Sequence, residues 1–192
     1  MALKGLRRFV FVVLKEDEEG KIEYDKEITS LKGARDVKVV PKTATAELYG
    51  DDQLLETDSS VSSVDADIDL VGLPIKIQST MWGHKYENGI LIKNKYDKPP
   101  KIALGYIAKK STGGDKFVWL LKGQAEPLGE EAKTQGDKVE YTTTKIKYKF
   151  MPRIFDGNYQ FTADTEEEDS PKLEEFFTVD VLKTGKKAIT EA

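Results

Sequence analysis

The chain has 192 residues, 39% of them hydrophobic and 33% charged, with a formal net charge of -4, one histidine and no cysteine. That length suits one ordinary domain, which buries roughly 70% of its unfolded surface and needs no cross-link. Absent cysteine excludes disulfides, thiolate catalysis and cysteine-based zinc sites; a lone histidine excludes chemistry built on two imidazoles; and the acidic balance argues against a protein that grips nucleic acid through excess Lys and Arg.

Met1 to Arg8 is basic and Phe9 to Leu14 apolar, which imitates a leader sequence. The apolar run ends at Lys15-Glu16-Asp17-Glu18-Glu19, short of the about 7 to 15 residues of a leader core. A buried first strand over Arg8–Lys15 is expected instead, turning at Gly20 into Lys21–Ile28. No stretch approaches the roughly 20 apolar residues of a membrane span. Gly33–Pro41 reads as a third strand, with Val37 and Val39 on one face, and Thr43–Tyr49 extends it. Tyr49 to Ser60 carries turn residues and charges without periodicity, so it reads as a loop or arm. Val61–Leu70 alternates: Val64, Ala66, Ile68 and Leu70 point one way, and Ser63, Asp65, Asp67 and Asp69 the other.

A helix is expected between Pro74, placed as a first-turn proline, and Gly83, placed as a C-terminal glycine. It is too short to stand alone, so Ile77, Met81 and Trp82 are expected to pack it on a sheet. Asn88-Gly89 marks a hairpin within Tyr86–Ile92. Ile102–Lys109 and Lys116–Lys122 flank Ser111-Thr112-Gly113-Gly114-Asp115 as a second. A polar loop over Gly123–Asp137 leads to Lys138–Phe150, read as the longest strand, with Ile146, Tyr148 and Phe150 on one face and Lys145, Lys147 and Lys149 on the other. Asp156-Gly157 turns into Tyr159–Ala163. An acidic run, Asp164–Asp169, precedes a short helix at Lys172–Phe177, and the last ten residues read as a tail. The sum is a mainly β fold, a β-sandwich or partly open barrel of two packed sheets with one flanking α-helix, long loops and a C-terminal arm. A single domain is expected over 1–192, with 49–60 as loop or arm and 164–192 as an extension.

No motif carries catalysis. His84 lies past the helix end without a nucleophile motif beside it. The adjacent carboxylates at Asp51-Asp52, Glu16–Glu19 and Glu166–Asp169 fall in turns with no apolar pocket. Strand spacing puts Asp65, Asp67 and Asp69 nearly 7 Å apart, too wide for one calcium ion. Gly113-Gly114 lacks the Lys-Ser/Thr of a phosphate loop. Trp82 and Trp119 read as core or interface rather than sugar platforms. No catalytic, cofactor or metal site is expected.

The order of motifs is familiar. Val39-Val40-Pro41-Lys42-Thr43 is followed by Leu48-Tyr49-Gly50-Asp51-Asp52, an alternating strand ending Asp69-Leu70, and Leu73-Pro74 with a helix closing at Gly83-His84. Ala103-Leu104-Gly105-Tyr106, Phe117-Val118-Trp119-Leu120-Leu121-Lys122-Gly123 and Thr134-Gln135-Gly136-Asp137 come later. The set resembles the major tail protein of long-tailed, non-contractile bacteriophages of Gram-positive hosts, from the first strand to about Ala163. In place of the Trp-Phe pair that relatives carry near the end stands Phe176-Phe177. The resemblance implies a structural virion protein, made in the host cytoplasm, that forms hexameric rings stacking into the tail tube. Its partners would be itself, the tape-measure protein and the tail terminator and distal tail proteins. DNA would pass without sequence-specific binding, and no membrane is involved. On that reading Ser63, Asp65, Asp67 and Asp69 are candidates for the lumen wall, where carboxylates repel DNA. Tyr49, Gly50, Asp51, Asp52, Leu54 and Leu55 are candidates for the inter-ring loop. The alternatives are a tube-capping or tail-completion protein and a non-catalytic β-sandwich that binds carbohydrate.

Overall fold

A computed structural model describes residues 3–50, 53–129 and 143–186. The chain is mainly β, 55% strand and 11% helix. In order it forms β1 (Leu3–Glu18), β2 (Lys21–Tyr24), β3 (Thr29–Leu31), β4 (Ala34–Gly50) and β5 (Gln53–Leu70), then α1 (Ile75–Trp82). The second half holds β6 (Lys85–Glu87), β7 (Ile90–Ile92), β8 (Lys101–Lys110), β9 (Asp115–Ala125), β10 (Thr144–Phe150), β11 (Gln160–Asp164), α2 (Leu173–Phe176) and α3 (Val179–Thr184).

The fold is consistent with a β-sandwich-like class: one large nine-stranded antiparallel sheet runs in the order β2-β1-β8-β9-β10-β5-β4, with β3 added on β1 and β11 on β9. The β6–β7 hairpin is a separate small sheet. The large sheet folds over its own core. Phe9 and Phe11 of β1, Leu104 and Tyr106 of β8, Tyr148 and Phe150 of β10 and Val64, Ala66 and Ile68 of β5 meet in one cluster.

The central strands are buried on both faces, which explains their unbroken apolar runs. In β1, Phe9 and Phe11 face that first core, while Val10, Val12 and Leu14 face a second. The second core joins Ile107, Phe117, Trp119 and Leu121 to Phe176, Phe177, Val181 and Leu182 from the C-terminal helices. Gly105 lies opposite Trp119 in the β8–β9 ladder, and a Cβ there would come within 2.8 Å of the indole and 2.9 Å of the Phe177 ring. The Gly105 and Trp119 of the sequence motifs are therefore one packing unit.

α1 begins after Pro74 and ends at Gly83, whose φ of 71° is the left-handed conformation that glycine adopts freely. Met81 and Trp82 are buried, Ile77 packs against the same core, and the Trp82 indole donates to the Glu126 carbonyl at 2.7 Å.

Three expectations change. Tyr49, Gly50, Leu54 and Leu55 are not in a loop: β4 and β5 form one long hairpin, with Tyr49 opposite Leu54 and Gly50 opposite Gln53. Asp51 and Asp52 lie outside the described residues. Thr43–Tyr49 continues the strand as its reading from the residues has it, whereas Gln53–Ser60 has no alternation to announce it, and the register with β4 is what holds that half. The longest strands are β5 and β4, whereas β10 begins only at Thr144, with 138–142 outside the described residues. Finally, residues 173–184 are not a trailing arm but a helical cover. Thr178 caps α3 by accepting the Val181 N–H at 3.4 Å, and Leu182 is fully buried.

Candidate functional site

Two surfaces stand out: the outer face of β4-β5-β10 and the free end of the β4–β5 hairpin. On the first, Asp65, Asp67 and Asp69 alternate with buried Val64, Ala66, Ile68 and Leu70, as the sequence pattern requires. Residues directly opposed across a ladder share a face. Asp67 is opposed by Lys38 on β4 and Lys147 on β10; Asp69 by Asp36 and Lys145; Asp65 by Val40 and Lys149. Lys42 also reaches Asp65 at 2.5 Å.

The face is therefore not acidic. Lysines and aspartates alternate across it, with lysines in slight excess. Ser63 is not part of an exposed wall, being only 5% accessible. Both stripes are visible in the sequence, but placing them on one face needs the register of three strands separated along the chain.

The second surface is built by what the ladders omit. β10 pairs β5 from Val64 to Leu70 only, and β4 pairs only with β5. From Thr43 and Val61 outward, each strand therefore has no other partner among the described residues. The ribbon extends about 25 Å beyond the sheet at roughly 3.3 Å per residue. Thr43, Ala44, Thr45, Thr57, Ser59 and Ser60 are all exposed on it.

The other candidates settle into structure. His84 Nδ1 pairs with Asp97 at 2.7 Å, and Asp97 also accepts the Asn94 N–H at 2.8 Å. Those two bonds, the backbone one first, hold the Asp97 carboxyl below its usual range. Trp119 is fully buried and donates to the Phe176 carbonyl at 3.0 Å, so with buried Trp82 it offers no stacking platform. Glu16 pairs with Lys21 at 2.6 Å. Glu166 joins Asp164 in holding buried Lys110, whose pKa those two carboxylates raise.

A buried polar network also holds the fold, one that sequence reasoning missed. Asp17 at the end of β1 meets Lys122 of β9 and accepts the N–H groups of Ile154 and Phe155 at 3.0 and 3.1 Å. Arg153, 2% exposed, bridges Asp156, the Leu182 carbonyl and the Tyr24 hydroxyl. The signal available was only a Lys and an Arg at the ends of apolar stretches.

Compared with known proteins, the chain matches no family model and no curated protein sequence.

Proposed function

We propose that the chain is a self-assembling structural subunit: a tail tube protein whose copies close into rings, the rings stacking into the tube of a non-contractile bacteriophage. The observation that carries this reading is the β4–β5 ribbon. An isolated two-stranded hairpin is marginal in water, and open strand edges are templates for pairing. A two-stranded ribbon about 25 Å long, with neither edge paired among the described residues, is explained by a neighbour that completes it.

The outer face of β4-β5-β10 supports the conduit role in a revised form. Strands lie about 5 Å apart, so opposite charges there cancel within a Debye length of about 8 Å. Such a face neither grips a phosphate backbone nor needs to repel it. DNA would pass over it unread, and the proposal keeps the tape-measure, terminator and distal tail proteins as partners in the virion.

The test is a shortened ribbon, with residues 44–60 replaced by Asn-Gly. It is expected to give a folded monomer that does not polymerise, scored by circular dichroism and sedimentation velocity. Tubes built from the shortened chain would overturn the reading.

A further inference from the structure

The β6–β7 hairpin pairs Lys85 with Ile92, Tyr86 with Leu91 and Glu87 with Ile90. Ile90 and Ile92 thus share one face and Tyr86 takes the other. All three are exposed, Ile90 to 63%, and Tyr96 just beyond is exposed to 75%. Exposed aliphatic side chains leave their burial energy unrealised. Yet the hairpin is firmly held. Asn88 and Gly89 take the φ values of 50° and 82° that a tight two-residue hairpin turn needs. His84 and the Asn94 N–H clasp Asp97 at its base, and Gly83 sits so close to the Lys98 carbonyl that a Cβ would lie 2.5 Å from it.

This apolar knob has a basic rim. Lys85 is paired with Glu87 of the same hairpin at 2.9 Å, and Lys95 and Lys98 are exposed beside it, with Lys95 against the Tyr96 ring at 4.7 Å. A complementary surface exists on the same chain. Glu167, Glu168, Asp169 and Glu174 are all exposed, and Leu173 beside them is exposed to 36%. The two lie at opposite ends of β8. The knob leads into Lys101, while the acidic segment is tied to Lys110 through Asp164 and Glu166. At roughly 3.3 Å per residue, β8 holds them about 30 Å apart. The knob cannot reach the acidic segment of its own chain.

We infer that the β6–β7 hairpin and Tyr96 dock on the acidic segment around Leu173 of a second copy, head to tail. Ile90, Ile92 and Tyr96 form the apolar centre with Leu173, and Lys95 and Lys98 form a charged rim with Glu167 and Glu168. Donor and acceptor surfaces differ, so the contact repeats, giving a closed ring or an open stack. The inference rests on the self-assembly reading and names one contact within it.

The test uses two variants of the full chain, Lys95→Glu with Lys98→Glu and Glu167→Lys with Glu168→Lys. All four side chains are exposed; thermal melts matching the wild type confirm intact folding. Sedimentation velocity is expected to show each variant associating at least about tenfold more weakly than the wild type, since mismatched rim charges oppose encounter and docking. An equimolar mixture is expected to recover association, because the reversed knob of one faces the reversed segment of the other. Wild-type assembly that both variants match, or a mixture that recovers nothing, overturns the contact and leaves the tube reading standing. A wild-type chain that never associates removes both.

Discussion

Asp17 and Lys122 form an ion pair sealed between β1 and β9, their side chains only 3% and 6% exposed. The pair sits where three separate parts of the chain meet: the end of β1, the end of β9 and the backbone of Ile154 and Phe155. Removing one partner strands the other. Asp17→Ala should destabilise the fold by about 3 to 5 kcal/mol, the usual cost of an uncompensated buried charge. Asp17→Leu combined with Lys122→Met should cost clearly less. Urea denaturation of the two variants checks this, and equal losses would show that the charge pairing is irrelevant.

The same carboxylates set the acid limit. Burial alone would push Asp17 up, but the bonds from Lys122, Ile154 and Phe155 outweigh it and the carboxyl stays below its ordinary value. Asp156 behaves alike: burial pushes up, while Arg153 and Asn158 pull it further down. A carboxyl depressed in the folded state contributes stability that is complete above its unfolded value of about 4 and is lost as pH falls through the folded one. Stability should hold flat from neutral pH to about 5 and then fall. In Asp17→Asn, already less stable at pH 7, the fall should be shallower. A fall unchanged by that substitution would remove Asp17 from the account.

Asp67 between Lys38 and Lys147 explains why the β4-β5-β10 face should ignore DNA. Changing Asp65 and Asp67 to Lys would leave the face strongly basic. The wild type should show no retention of duplex DNA at about 0.15 M salt, whereas the double variant should bind, with affinity falling steeply as salt rises. Fluorescence anisotropy with a labelled duplex reads both. Because these positions are solvated, the stability loss should stay near 1 kcal/mol per like-charged cross-strand pair.

Much of this architecture was legible in the residues. Strict alternation from Val64 to Leu70 announced β5, Pro74 and Gly83 bounded α1, and Asn88-Gly89 marked its hairpin, because each has a local physical cause. The Gln53–Ser60 half of the β4–β5 ribbon was not legible, since no alternation runs through it and pairing with β4 alone defines it. α3 carried a Thr178 cap and a Gly185 stop, but at six residues it owes its existence to Val181 and Leu182 sinking into the second core. The balance of charge around Asp65, Asp67 and Asp69 depended on cross-strand register, which joins residues 38, 67 and 147 and leaves no local trace.

Electron microscopy of the purified chain in negative stain, over a rising concentration series, tests the central claim most directly. Rings and stacked tubes of uniform width are the expected result. A chain that stays a solitary particle at every concentration would contradict it.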